Sequence, residues 1–165
     1  NCSIVDVFNI VVPFMKNKIS KYENIIMNLN LILESSSPIS DFEKMSIISK
    51  EIYSKFNYWT FCGFYVLLND YLKIGPYEGN IIPCNSIGFG KGVCSISIKE
   101  KKIIIVDDVS KNPHYIACDS KTKSEIVVPV YSEKKIIAVL DIDSPLLNDF
   151  NEIDKEFLEK ISFLI

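Results

Sequence analysis

The sequence predicts an α+β domain: an antiparallel sheet of about six strands flanked by helices. Three observations carry this. Apolar residues in the first third recur with a 3.6-residue period. The middle holds short β-branched and aromatic runs separated by turn signals. The end is a capped amphipathic segment. Strands joined by short turns pair antiparallel, and helices at both ends of the chain must cover the sheet they produce.

The elements follow in chain order. Ile19, Tyr22, Ile25, Ile26, Leu29, Ile32 and Leu33 share one helical face, and Ser35-Ser36-Ser37-Pro38 interrupts it. Ser40 with Glu43 makes a capping-box signature ahead of Met45, Ile48, Ile52 and Phe56. Residues 59–68 are aromatic and β-branched, so they predict a strand, and Asn69-Asp70 turns the chain into a second at 71–77. Glu78-Gly79-Asn80 turns it into a third at 81–87. A glycine loop at Gly88, Gly90 and Gly92 leads to a short amphipathic helix at 93–100 and a strand at 102–106. Residues 108–124 form a long polar loop with Pro113, His114 and Cys118. Residues 125–130 and 135–143 make a hairpin that Ser144-Pro145 stops. Asn151 caps a last helix with Phe157, Leu158 and Ile161 inward. Residues 1–20 stand apart as an N-terminal extension with no assigned role, and residues 21–165 are the domain.

Composition narrows the function. The chain has 165 residues, 48% of them hydrophobic and 24% charged, which suits one packed domain and excludes disorder. Every one of its 18 basic residues is Lys, and the net charge is −3. Without Arg there is no planar fork for phosphate or guanine, so sequence-specific nucleic-acid binding is not expected. The apolar stretch at 4–15 is interrupted by Asp6, Asn9 and Pro13, too short and broken to span a bilayer. Cys2, Cys62, Cys84, Cys94 and Cys118 are an odd set with no CxxC spacing, and one His is too few for the common zinc sets. Buried thiols or redox chemistry in a reducing, cytoplasmic compartment are expected, with no metal and no bound cofactor.

The last hairpin gathers acids. With alternating side chains, Asp141 and Asp143 share a strand face, and a Ser132-Glu133-Lys134 loop sets Glu125 opposite Asp141 and diagonal to Asp143. Three carboxyls then converge within roughly 5–8 Å. Such like charges need a cation or a held proton to relieve them, so the group suits a substrate ammonium. A solvated sheet end is the plainer alternative. Among the thiols, Cys118 lies in the polar loop, while Cys84 and Cys94 flank the glycine loop. Cys62, facing away from Phe61 and Tyr65, is expected to be a buried hydrophobe, and so is Cys2.

These residues carry a resemblance. The strings CGFYVL, KIGPYEG, GKGVC, IACD, KTKSEIVVPV and LDIDS, in this order, resemble the free methionine-(R)-sulfoxide reductases, a family of GAF-domain enzymes. It runs from about Phe42 to Ile165. It implies a GAF fold and a nucleophilic cysteine at Cys118 of IACD. It also implies a resolving cysteine at Cys84 and a third cysteine, Cys94, as a poorer substitute. Glu125, Asp141 and Asp143 become substrate-binding acids, with an aromatic wall at Tyr65. Phe61 stands where the family usually has Trp, with Trp59 expected on the same face roughly 7 Å along. Tyr115 stands where it usually has His, and Ser95 follows GVC in place of Gly.

The implied chemistry is thiol-dependent reduction of free methionine-(R)-sulfoxide through a cysteine sulfenic acid and an intramolecular disulfide. An external dithiol such as thioredoxin is its reductant, and the family often forms homodimers. With no Arg, the substrate carboxylate is expected to meet backbone amides after Cys118. The alternative is a GAF domain that senses a small ligand without turning it over. NDFNE resembles the NKFDE signature of cyclic-nucleotide-binding GAF domains, but Asp149 replaces its Lys and Asn151 its Asp, and a helix cap explains both.

Overall fold

The computed structural model describes residues 4–36 and 38–165, with only the backbone described for 4–12 and 14. The chain forms α1 (Ile4–Ser35), α2 (Asp41–Lys55), β1 (Phe61–Leu68), β2 (Tyr71–Gly79), β3 (Ser86–Gly88), α3 (Gly92–Glu100), β4 (Ile104–Val106), β5 (Ser124–Ser132), β6 (Lys135–Ser144) and α4 (Glu152–Ser162). The expected α+β class is observed: six antiparallel strands in the order β3-β2-β1-β6-β5-β4. Helix α1 continues unbroken through position 20 and contains Pro13. Cys2 lies outside the described residues.

Two cores sit on the two sheet faces. On one, Cys62, Phe64, Ile126, Val128, Leu140 and Ile142 meet Tyr22 and Leu29 of α1, Ile48 and Ile52 of α2 and Leu158 of α4. On the other, Phe61, Tyr65, Val127 and Val139 meet Val93, Cys94 and Ile98 of α3. Strand alternation makes the sorting, because neighbours in a strand point to opposite faces. Cys62 takes the helix-rich core as expected. The capping box at Ser40 and Glu43 starts α2.

A second capping box, Asn151 with Asp154, starts α4 and does more than cap. The buried Asp154 carboxylate also accepts from Tyr22 Oη at 2.7 Å and Lys18 Nζ at 2.6 Å, which fastens α1 to α4. The strand expected at 81–87 shortens to Ser86–Gly88, since residues 80–85 leave the sheet to form a cover over the second core.

Trp59 corrects an expectation. The chain turns through 57–60 before β1 begins, so the strand's alternation does not extend back to it. Trp59 is fully buried in the helix-side core, stacked on Phe56 at 4.3 Å, with its indole N–H donating to Asp149 at 2.9 Å. It belongs to the core and not to the face of Phe61.

Candidate active site

The pocket lies between the sheet face that carries α3 and two loops above it. β5 and β6 supply its floor. Their hairpin turns through two residues, Glu133 and Lys134, and not the three expected, with Ser132 opposite Lys135. That turn alone would reverse the parity of everything beyond it. A bulge then follows: Tyr131 faces Ile136 but Val130 faces Ala138, so Ile137 is an extra residue. The two shifts together restore the parity. Glu125 therefore lies opposite Asp143, not Asp141, and Asp141 is opposite Val127. All three acids still line one pocket.

Phe61 and Tyr65 of β1 form its wall, with ring centroids 6.0 Å apart. Gly63 between them is required, because a Cβ there would overlap the Cβ of Tyr77 on β2. The Tyr65 hydroxyl donates to the Cys84 carbonyl at 3.1 Å and anchors the covering loop. Helix α3 brings Cys94 to the floor in its first turn. Gly92 begins that helix at φ 77°, and its Cα lies so near the Ile116 side chain that a Cβ would stand 3.0 Å from it. This is the close approach of glycine loop to Cys118 loop.

Across the mouth, Cys84 and Cys118 are joined by a disulfide, with Cα atoms 5.3 Å apart. Both cysteines are half-buried. Cys94 and Cys62 are free and buried. Closed in this way, the cavity is about 30 Å³, roughly one water in size.

Electrostatics set an order among the acids. Burial, then the Asp141 and Asp143 charges, push Glu125 well above the ordinary carboxylate range. Burial followed by the Asp141 charge does the same to Asp143. Asp141 is raised by burial to about 7, with the Cys94 hydrogen bond opposing the rise. The Cys94 thiol donates to Asp141 Oδ2 at 3.5 Å and is itself pushed up by burial and that charge. Burial and the charge of Asp141 thus favour the protonated form of Glu125 and Asp143. The trio offers one anion for a cationic group and neutral carboxyls able to donate.

No lysine lines the pocket. Asp119 takes the amides of Lys121 and Thr122 in an Asx turn, so that part of the loop is self-satisfied. Ile116, Ala117, Cys118, Asp119 and Ser120 donate their amides to no other group of the described residues. The expected sites Cys84, Cys94, Cys118, Glu125, Asp141, Asp143, Phe61 and Tyr65 are together here, and Trp59 is not. Sequence reasoning missed the apolar lid of Ile81, Pro83 and Ile116 and treated Tyr115, which also lines the pocket, only as a departure. The one available signal was their adjacency to the cysteines. His114 is exposed, its amide donating to Asn112.

A family model described as GAF domain matches residues 45–165. The chain belongs to the GAF domain family. A free methionine-R-sulfoxide reductase of Saccharomyces cerevisiae is 48% identical over 107 residues, 62% of this chain and 59% of that protein. The free methionine-R-sulfoxide reductase of Escherichia coli is 31% identical over 145 residues, covering 88% of this chain and 86% of the other. The solved structure of the Neisseria meningitidis free methionine-R-sulfoxide reductase in complex with its substrate superposes with a TM-score of 0.82. It is 30% identical, over 89% of this chain and 87% of that one. The GAF fold expected from the resemblance is therefore the observed one, and the sulfoxide reductases are among its relatives.

Proposed function

We propose that this GAF domain reduces free methionine-(R)-sulfoxide to methionine. The observation that carries the reading is a disulfide between Cys84 and Cys118 across a pocket floored by three acids. A cysteine pair at a pocket mouth can accept oxygen from a substrate and close on itself. The acids can hold an ammonium group and supply a proton.

In the reduced protein the Cys118 thiolate attacks the sulfoxide sulfur, and a neutral carboxyl of Glu125 or Asp143 protonates its oxygen. The sulfur is reduced, methionine leaves, and Cys118 is left as a sulfenic acid. The Cys84 thiol condenses with it, water departs, and the disulfide forms. A dithiol in a reducing cytoplasm, thioredoxin-like at about −270 mV, returns both thiols. Ionised Asp141 binds the substrate ammonium beside the Phe61 and Tyr65 rings. The free amides between Ile116 and Ser120 receive the carboxylate, as the lack of a pocket lysine requires. Cys94 lies beside Asp141, where it can resolve Cys118 less readily than Cys84.

Incubation of the protein with free methionine-(R)-sulfoxide and dithiothreitol, with methionine measured, tests the reading. Methionine release is expected. Tight binding of the sulfoxide without release would leave a ligand-sensing domain instead. The trapped bridge after one equivalent of substrate is expected at Cys84–Cys118 in peptide mass spectra. A Cys94–Cys118 bridge in its place would reverse the roles of Cys84 and Cys94.

A further inference from the structure

The pocket floor holds a donor set that the sulfoxide chemistry does not use as a unit. Cys94 Sγ, a Glu125 carboxylate oxygen and an Asp141 carboxylate oxygen all lie within 4.8 Å of one another. The three side chains are 3%, 4% and 5% exposed. Glu125 Oε2 and Asp141 Oδ1 are buried there without a hydrogen-bond partner, on residues that line the cavity. Buried polar atoms are nearly always paired, so two orphans on one floor point to an occupant.

We propose that Cys94, Glu125 and Asp141 form a site for a thiophilic divalent cation, zinc above all, which occupies the pocket floor while the Cys84–Cys118 bridge is closed. The geometry supports it. A tetrahedral zinc ion with sulfur at about 2.3 Å and oxygen at about 2.0 Å holds those two ligand atoms about 3.5 Å apart. Cys94 Sγ and Asp141 Oδ2 stand 3.5 Å apart. Three protein donors leave the fourth position for one water, which suits a cavity of about 30 Å³. A thiol with two carboxylates suits neither calcium nor magnesium, which take roughly six to eight oxygens. No lysine on the pocket wall opposes a cation, and Asp143 adds a further carboxyl. On binding, the Cys94 S–H bond and the Glu125 O–H bond break, zinc bonds to the sulfur and to the carboxylate oxygens, and both protons leave to solvent; no electron moves.

The consequence for activity rests on the proposed function, because the ion takes the carboxylates assigned to the substrate ammonium. Zinc that stays bound once the bridge is reduced then blocks substrate binding and inhibits.

Cobalt(II) is the probe, since a thiolate–cobalt bond gives a near-ultraviolet charge-transfer band. The protein is used with Cys2→Ser, so that this thiol adds no signal, and with the Cys84–Cys118 bridge formed. One cobalt per chain with one thiolate band is expected, displaced by zinc. C94A should abolish the band. E125Q should weaken binding by more than the roughly 10–100-fold loss typical of an outer-shell partner. C62A, on the opposite sheet face, should change nothing. Absence of the band in the bridged parent, or its persistence in C94A, overturns the site. Should E125Q and C94A both fold poorly, an unchanged cobalt affinity in the conservative D141N variant overturns it equally. Turnover assayed without metal is read separately. Sulfoxide reduction with no cobalt band fails the metal site alone. A cobalt band with no sulfoxide reduction fails the reductase reading alone.

Discussion

Cys118 stands where one thiol can reach both a ligand in the pocket and a partner sulfur at its mouth. Its loop lacks regular structure, and five consecutive amides around it donate to no other group of the described residues. Replacing it removes the proposed nucleophile without removing packing, since the residue is only half-buried. C118S is expected to lose turnover by on the order of 10³-fold or more while keeping its melting temperature in reductant. Substantial residual methionine release would transfer the role to another thiol. Asp141 makes a second residue-scale prediction, about pH. Its carboxyl rises from an ordinary 3.8 to about 7 by burial. Between those values the folded state keeps a proton that the unfolded chain has released, so stability falls as pH rises through this window. Asn cannot ionise. D141N should therefore lose stability less steeply than the parent from pH 5 to 8, by at most about 1.4 kcal/mol per pH unit. Parallel thermal melts would refute this by giving identical slopes. Single residues were unequally legible. The acids were found because alternation is a strong local rule. Trp59 was misplaced because the same rule was carried through a turn that has no pleat.

The β5–β6 hairpin decides which way the acids face, and it does so by two offsetting departures. Its two-residue turn sets the chain one step from the register a three-residue loop gives, and the bulge at Ile137 adds another. Pattern alone showed three acids on one face but not the pairing that puts them there. Turn length and bulges rest on backbone geometry that side-chain identity only loosely reports. The turn also carries strain. Glu133 and Lys134 hold φ values of 47° and 67°, a left-handed pair that Asn-Gly fills at lower cost. K134G should stabilise the domain by about 1 kcal/mol, or roughly 2–4 °C in melting temperature. Activity should be unchanged, because the turn lies at the opposite end of the hairpin from Asp143. A lower melting temperature would mean that the Lys134 side chain contributes more than its backbone costs.

At the scale of the molecule, two long-range fastenings join pieces that the sequence could not relate. Lys18 and Asp154 are 136 positions apart, and nothing in either local pattern announces their pairing. Cys84 and Cys118 are 34 apart, and the reading joined them through family resemblance, not through spacing. The first pair is buried, so removing one member strands a charge. D154N should destabilise the domain by about 3–5 kcal/mol, with Lys18→Met in the same background recovering part of it. The second fastening governs access. With the bridge formed, the pocket is about 30 Å³, while free methionine sulfoxide has ten heavy atoms; the bridged form cannot admit it. Reduction must then release the lid. Tyr65 still holds the Cys84 carbonyl from below, so the freedom gained falls on the segment between Asn112 and Ser120. Those residues make few backbone hydrogen bonds, and Ile116 to Ser120 donate none to the described residues. Dithiothreitol should speed side-chain access there, read as faster alkylation of Cys118 than of Cys94 and as a loss of protease resistance confined to residues 112–120. Equal resistance in both redox states would mean that the lid opens by another route, with the 80–85 loop as the moving part.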